Sequence, residues 1–136
     1  MDIHYTPEEL AFREEVRAFL RDKLPAELAA KVKLGKRLSK EDNVFWMRTL
    51  NDRGWHASLW PVEYGGTGWS VVQKYIFEEE CAIFGAPRVL PFGAVMVGPV
   101  IIHFGTEEQK AYFLPRILDM THWWAQGYSC LLYTSD

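Results

Sequence analysis

Residues 98–129, GPVIIHFGTEEQKAYFLPRILDMTHWWAQGYS, decide the fold of this chain. An almost wholly apolar segment, Pro91 to Phe104, stops at Gly105. Thr106 then caps an amphipathic helix running to about Leu118, with Glu107 and Glu108 in the first turn where the helix dipole favours negative charge. A short aromatic run, Trp123 to Ser129, reads as the first strand of something new. A buried helix, a surface helix and a strand in succession mark the boundary between a helical domain and a β domain.

Working outward, the N-terminal part is helical throughout. Thr6, Pro7 and Glu9 spell a capping box with proline at the first helical position. Phe12, Val16, Phe19, Leu20 and Leu24 then share one face, and Pro25 ends that helix. Ala26 to Val32 predict a short second helix closed by Gly35. Ser39 caps a third, with Val44, Met47 and Leu50 on one face and a stop at Gly54. The loop Trp55–Trp69, WHASLWPVEYGGTGW, is broken by Pro61, Gly65, Gly66 and Gly68 and carries aromatics to bury. Ser70 caps a fourth helix ending at Gly85, with Val72, Tyr75, Ile76 and Ile83 expected inside. The segment Pro91–Phe104 is apolar all round apart from His103, so it is expected in the middle of a bundle and kinked at Gly98-Pro99. Pro115 is expected to cut or bend the last turn of the sixth helix. The prediction is an all-α, six-helix up-and-down bundle over residues 1–121, with residues 122–129 beginning a β unit and 130–136 an atypical tail.

Composition excludes several function classes. The net charge is −3 with no basic stripe, which argues against nucleic acid as a partner. No apolar run approaches the roughly 20 residues of a membrane span. The N-terminus, MDIHYTPEEL, has no signal-peptide pattern, and two cysteines without CxxC spacing suit a reducing cytoplasm. The four histidines stand far apart without HxxxH or HExxH spacing, so no metal site is expected. His103 is read instead as a core or interface histidine satisfied by one hydrogen bond.

Each remaining candidate has a plainer reading beside it. Glu78, Glu79 and Glu80 point about 100° apart on a helix, so at most one faces inward, and the stripe of Val72, Ile76 and Ile83 favours Glu79. The Gly65-Gly66-Thr67-Gly68 loop lacks the lysine and the preceding strand of a phosphate cradle and reads as a turn that packs Trp60, Tyr64 and Trp69. Trp55, Trp60 and Trp69 either shape a pocket or fill the loop. Cys81 behaves as a small apolar residue. In an extended run Gln126 and Tyr128 share one face, with Ala125 and Ser129 on the other. Such a strand either enters a sheet at its edge or holds the rim of a planar heterocycle.

The stretches GWHASLWPVEYGGTGWS, GPVIIHFGTEEQKAYFLPRIL and WWAQGYS together resemble the N-terminal part of an acyl-CoA dehydrogenase, over Met1 to Ser129. The resemblance implies a three-domain flavoprotein, a helical bundle followed by a β-barrel and a second bundle. It also implies FAD as cofactor, an acyl-CoA thioester as substrate, trans-2-enoyl-CoA as product and an electron-transferring flavoprotein as acceptor. An oxidase or a flavin monooxygenase on the same scaffold, or a stand-alone helical interaction module, are the alternatives. By resemblance, Gln126, Tyr128 and Ser129 lie beside the flavin, and Phe92, Val95 and Met96 wall the acyl-chain pocket. A homo- or hetero-oligomer is implied for the full-length protein. The family's catalytic base sits in the C-terminal domain, so no catalytic residue is expected within these 136 residues, and the chain alone is expected to be inactive with weak or no affinity for FAD. The family pattern continues Glu-Pro-x-Ala-Gly-Ser-Asp after the strand, whereas this chain reads Cys130-Leu131-Leu132-Tyr133-Thr134-Ser135-Asp136. That departure predicts a truncated reading frame carrying a foreign tail.

Overall fold

Reciprocal caps start most of the helices. In the computed structural model, which describes residues 4–127, the Glu9 amide donates to Thr6 Oγ1 (3.2 Å) and the Thr6 amide to the Glu9 carboxylate (2.7 Å). This box opens α1 (Pro7–Lys23) with Pro7 in the first turn. α2 (Ala26–Lys33) follows Pro25 directly. The same device, Ser39 with Asp42, opens α3 (Lys40–Asp52), and Ser70 with Gln73 opens α4 (Val71–Phe84). A π-helical turn, Phe92–Val97, leads into α5 (Gly98–Phe104), and Thr106 with Gln109 caps α6 (Glu107–Leu118). The described residues are thus all-helical, with a single 3₁₀ turn at Val62–Tyr64. Pro115 does not cut α6, which continues to Leu118. The proline is exposed, and one residue on Arg116 Nη1 donates to the Tyr112 carbonyl (2.6 Å) in the turn it disturbs.

Two apolar cores hold the helices together. The larger gathers Phe12, Val16 and Leu20 of α1, Leu28 of α2, Trp46, Met47 and Leu50 of α3, and Ile76, Phe77 and Cys81 of α4. Trp55 closes it from the loop, with the Trp69 ring 5.3 Å away and edge-on, a favourable aromatic arrangement. The smaller core joins Ala57 and Trp60 of the same loop to Ala94 of the π turn and Leu114 and Ile117 of α6. The aromatic loop is therefore the hinge piece shared by both cores.

Four expectations are corrected. The inner face of α4 carries Ile76, Phe77, Glu80 and Cys81, while Val72, Tyr75 and Ile83 are exposed. The buried face combines three apolar side chains with one acid, a mixture that apolar spacing does not pick out. Glu80, not Glu79, is the buried carboxylate, because Arg13 Nε (3.2 Å) and Arg17 Nε (2.9 Å) of α1 reach it. A buried charge is tolerable only with such partners. The segment Pro91–Phe104 is not wrapped on all sides either, since Val95, Met96, Val100 and Phe104 are 43%, 46%, 54% and 78% exposed. His103 on the same segment is exposed rather than in a core. One face of this helix packs on α6 and Trp60, and the other lacks a partner among the described residues.

The strand expected over residues 123–129 does not form in 123–127. A strand exists only through its ladder partner, and the described residues offer no sheet edge. Tyr128, Ser129 and the tail lie outside the described residues.

Candidate functional site

The loop after α3 shapes the site because its backbone passes close to its neighbours. A Cβ on Gly66 would stand 1.7 Å from the Trp60 carbonyl oxygen, so only glycine allows the turn that brings Trp60 inward. The buried Trp60 indole Nε1 then donates to the Ala94 carbonyl (2.6 Å) in the π turn. Along the same edge the ring rests against Gly98, where a Cβ would approach Cζ2 to 2.2 Å. The π turn that carries Phe92, Val95 and Met96 is held from below by this one tryptophan.

Two clefts flank that turn. One, about 260 Å³, is lined by Ala57, Ser58, Leu59, Tyr75, Glu78, Ala94 and Val95. The other, about 810 Å³, runs along α4 past Phe77, Cys81 and Ala82 to Val89 and Val95, with Lys36, Glu78, Glu79 and Arg88 as its polar members. Val95 lines both clefts. A mostly apolar floor with a few polar groups suits an organic ligand.

The titratable groups here are already engaged. Glu79 pairs with Arg13 and accepts from the Tyr75 hydroxyl (3.0 Å), a bond that raises the Tyr75 pKa. Glu80 sits between two guanidinium groups and pushes the Arg17 pKa up. Burial, helped by the charges of Glu78 and Glu80, pushes the Cys81 thiol up to about 12, which removes it as a nucleophile at neutral pH. His56 is buried, which holds its pKa below the ordinary value, and its Nδ1 bonds the Leu118 carbonyl at the end of α6 (2.8 Å). Among the described residues no group of three or more His, Cys, Asp or Glu stands ready for a metal ion. The arrangement can bind and orient.

The structure brings Phe92, Val95 and Met96 together on the π turn, with Phe92 half-buried and the other two exposed. Gln126 lies beyond α6 on the exit segment and is exposed. Trp124 anchors that segment: it packs on the smaller core, and its pyrrole edge approaches Gly93 of the π turn. Sequence reasoning left Trp60 undecided between pocket and filler, and missed Ala94 altogether. The Gly98-Pro99 pair marks the kink, but nothing in the sequence says that a side chain 34 residues upstream of Ala94 answers it.

The comparisons with known proteins agree. The family model described as "Acyl-CoA dehydrogenase, N-terminal domain" matches residues 6–121. Acyl-CoA dehydrogenase IpdE1 of Mycolicibacterium smegmatis is 43% identical over 123 residues, which cover 87% of this chain and 31% of that protein. The crystal structure of the ChsE4-ChsE5 complex from Mycobacterium tuberculosis superposes with a TM-score of 0.69 at 36% identity, over 88% of this chain and 29% of that one. A structure titled "Tcur3481-Tcur3483 steroid ACAD" gives 0.70 at 33% identity, over 88% and 30%. The chain spans about a third of the length of these relatives. A capped helical bundle, a tryptophan-braced apolar turn and a family match over nearly all of the described residues lead to one conclusion: this chain belongs to the acyl-CoA dehydrogenase family and corresponds to its N-terminal helical domain.

Proposed function

We propose that this chain forms the N-terminal domain of an FAD-dependent enzyme that dehydrogenates an acyl-CoA thioester to the trans-2-enoyl-CoA, passing electrons to an electron-transferring flavoprotein. The observation that carries the reading is the uncovered apolar face of Val95, Met96, Val100 and Phe104 beside two clefts. A self-sufficient interaction module has polar outer faces, whereas a domain that lends one wall to an acyl pocket has an apolar one. Phe92, Val95 and Met96 serve as that wall. One relative is titled a steroid ACAD, and the 810 Å³ cleft is roomy enough to support a bulky acyl group as substrate.

The exit segment suits the rim of a flavin. Residues 123–127 run without a strand partner among the described residues, so their backbone groups can meet a heterocycle edge, and Gln126 is exposed beside them. Gln126, with Tyr128 and Ser129, would hold the flavin, and Trp124 fixes where their segment leaves the bundle. Bound FAD supplies the hydride acceptor; this domain supplies position and the exclusion of water. Relatives solved as two-component assemblies support a hetero-oligomer for the full-length protein.

The test is to purify the full-length protein and record its visible spectrum. A yellow protein bleached anaerobically by an acyl-CoA is expected. A colourless protein, or a flavin spectrum indifferent to every acyl-CoA offered, would sink the proposal.

A further inference from the structure

The Phe92–Val97 turn is wound in π register, so each amide reaches back five residues, as the Gly98 amide does to the Gly93 carbonyl. In that register the next carbonyl, Ala94, should accept from residue 99. Residue 99 is proline and has no N–H to give. The Trp60 indole supplies the missing donor at 2.6 Å, and Gly98 leaves the gap into which its ring fits. Ala94 and the Trp60 side chain are both buried, so a carbonyl left without that bond would have no water to turn to. A π turn inside a helix is rare and clusters at functional sites. We infer that Trp60 is a positioning residue: its indole N–H stands in for the backbone donor lost at Pro99 and locks the register that presents Val95 and Met96 to the ligand. The functional half of this inference rests on the acyl-pocket reading; the register half does not.

A substitution and its rescue test it in the full-length protein. Trp60→Phe deletes the donor together with the five-membered ring, so rescue by a new donor, and not the loss alone, reports the hydrogen bond. Its expected effect is a rise of about tenfold in KM for the acyl-CoA, from one unmet buried hydrogen bond and the space left beside it, with kcat within about twofold. Adding Pro99→Ala restores a backbone N–H at the position the π register requires, and the double variant is expected to recover most of the loss. An unchanged KM in Trp60→Phe, or no rescue by Pro99→Ala, overturns the positioning role. Crystal structures of the two variants decide the register separately: residues 92–97 are expected to change winding in Trp60→Phe and to return in the double variant. Unaltered π winding in Trp60→Phe overturns the lock. Pro99→Ala alone leaves the tryptophan core intact and covers the case in which Trp60→Phe does not fold. Its second donor should move the Trp60 indole proton resonance upfield, and an unmoved resonance also overturns the lock. If no acyl-CoA reacts with the wild-type protein, the acyl reading fails while the winding and the resonance still decide the register.

Discussion

Glu80 shows how one residue fixes the pairing of two helices. Its carboxylate, 1% exposed, lies between Arg13 and Arg17 of α1 and is the only acid on the buried face of α4. Removing Glu80 takes away the carboxylate that both guanidinium groups share at the α1–α4 seam and leaves them only their outer partners, Glu79 and Glu14. Glu80→Ala should therefore cost about 3 kcal/mol, read as a lower urea midpoint with the slope unchanged. His56 gives a second prediction at this scale. Its folded-state pKa lies below the ordinary value of about 6.5, so below neutrality the unfolded chain binds a proton that the folded chain refuses. The stability this group contributes is whole above about pH 6.5 and is lost as pH falls through the folded pKa. Melting temperature should drop with acidification across that window, and His56→Gln should flatten the drop; an equal slope in the variant would refute the assignment.

Among the elements, the caps carry the local code and the interior of each helix does not. Ser39 accepts the Asp42 amide (3.0 Å) and Asp42 accepts the Ser39 amide (3.0 Å), with Lys31 holding the same carboxylate below the usual range. Ser39→Ala should cost about 1 kcal/mol, measured by thermal or urea unfolding. Gly66→Ala should do far more, since its Cβ would collide with backbone rather than with a movable side chain, and loss of the cooperative transition is expected. The same contrast explains what could be read in advance. Thr6, Ser39, Ser70 and Thr106 begin their helices where the sequence places them, because a cap is a contact over three residues. The inner face of α4 was misjudged because Glu80 is buried by arginines some 63 residues away, a contact no local pattern contains. The π turn was visible only as a kink at Gly98-Pro99, and its brace, Trp60, belongs to another element. Gln126 reads in the sequence as part of a first strand over residues 123–129, but a strand needs an edge to pair with, and residues 123–127 find none among those described.

Across the molecule, the two cores leave one side unfinished. α5 packs through Ile101 and Ile102 on the smaller core while Val100 and Phe104 face outward. Phe104→Ser should therefore reduce dye binding and self-association of the isolated chain with little change in melting temperature, because this side chain gives nothing to either core. A fall of several degrees in melting temperature would show that Phe104 is packed after all. None of the helices among the described residues is long and apolar enough to cross a membrane.

The thiol of Cys81 also makes an internal clock. It is buried between α4 and the larger core, its proton held tightly beside two carboxylates. Only 9% of the residue reaches the larger cleft, so an alkylating reagent reacts with it mainly during the intervals when the bundle parts. In a Cys130→Ser background, the labelling rate of this one sulfur would time the opening of the fold directly, with no need of heat or of a cofactor's colour.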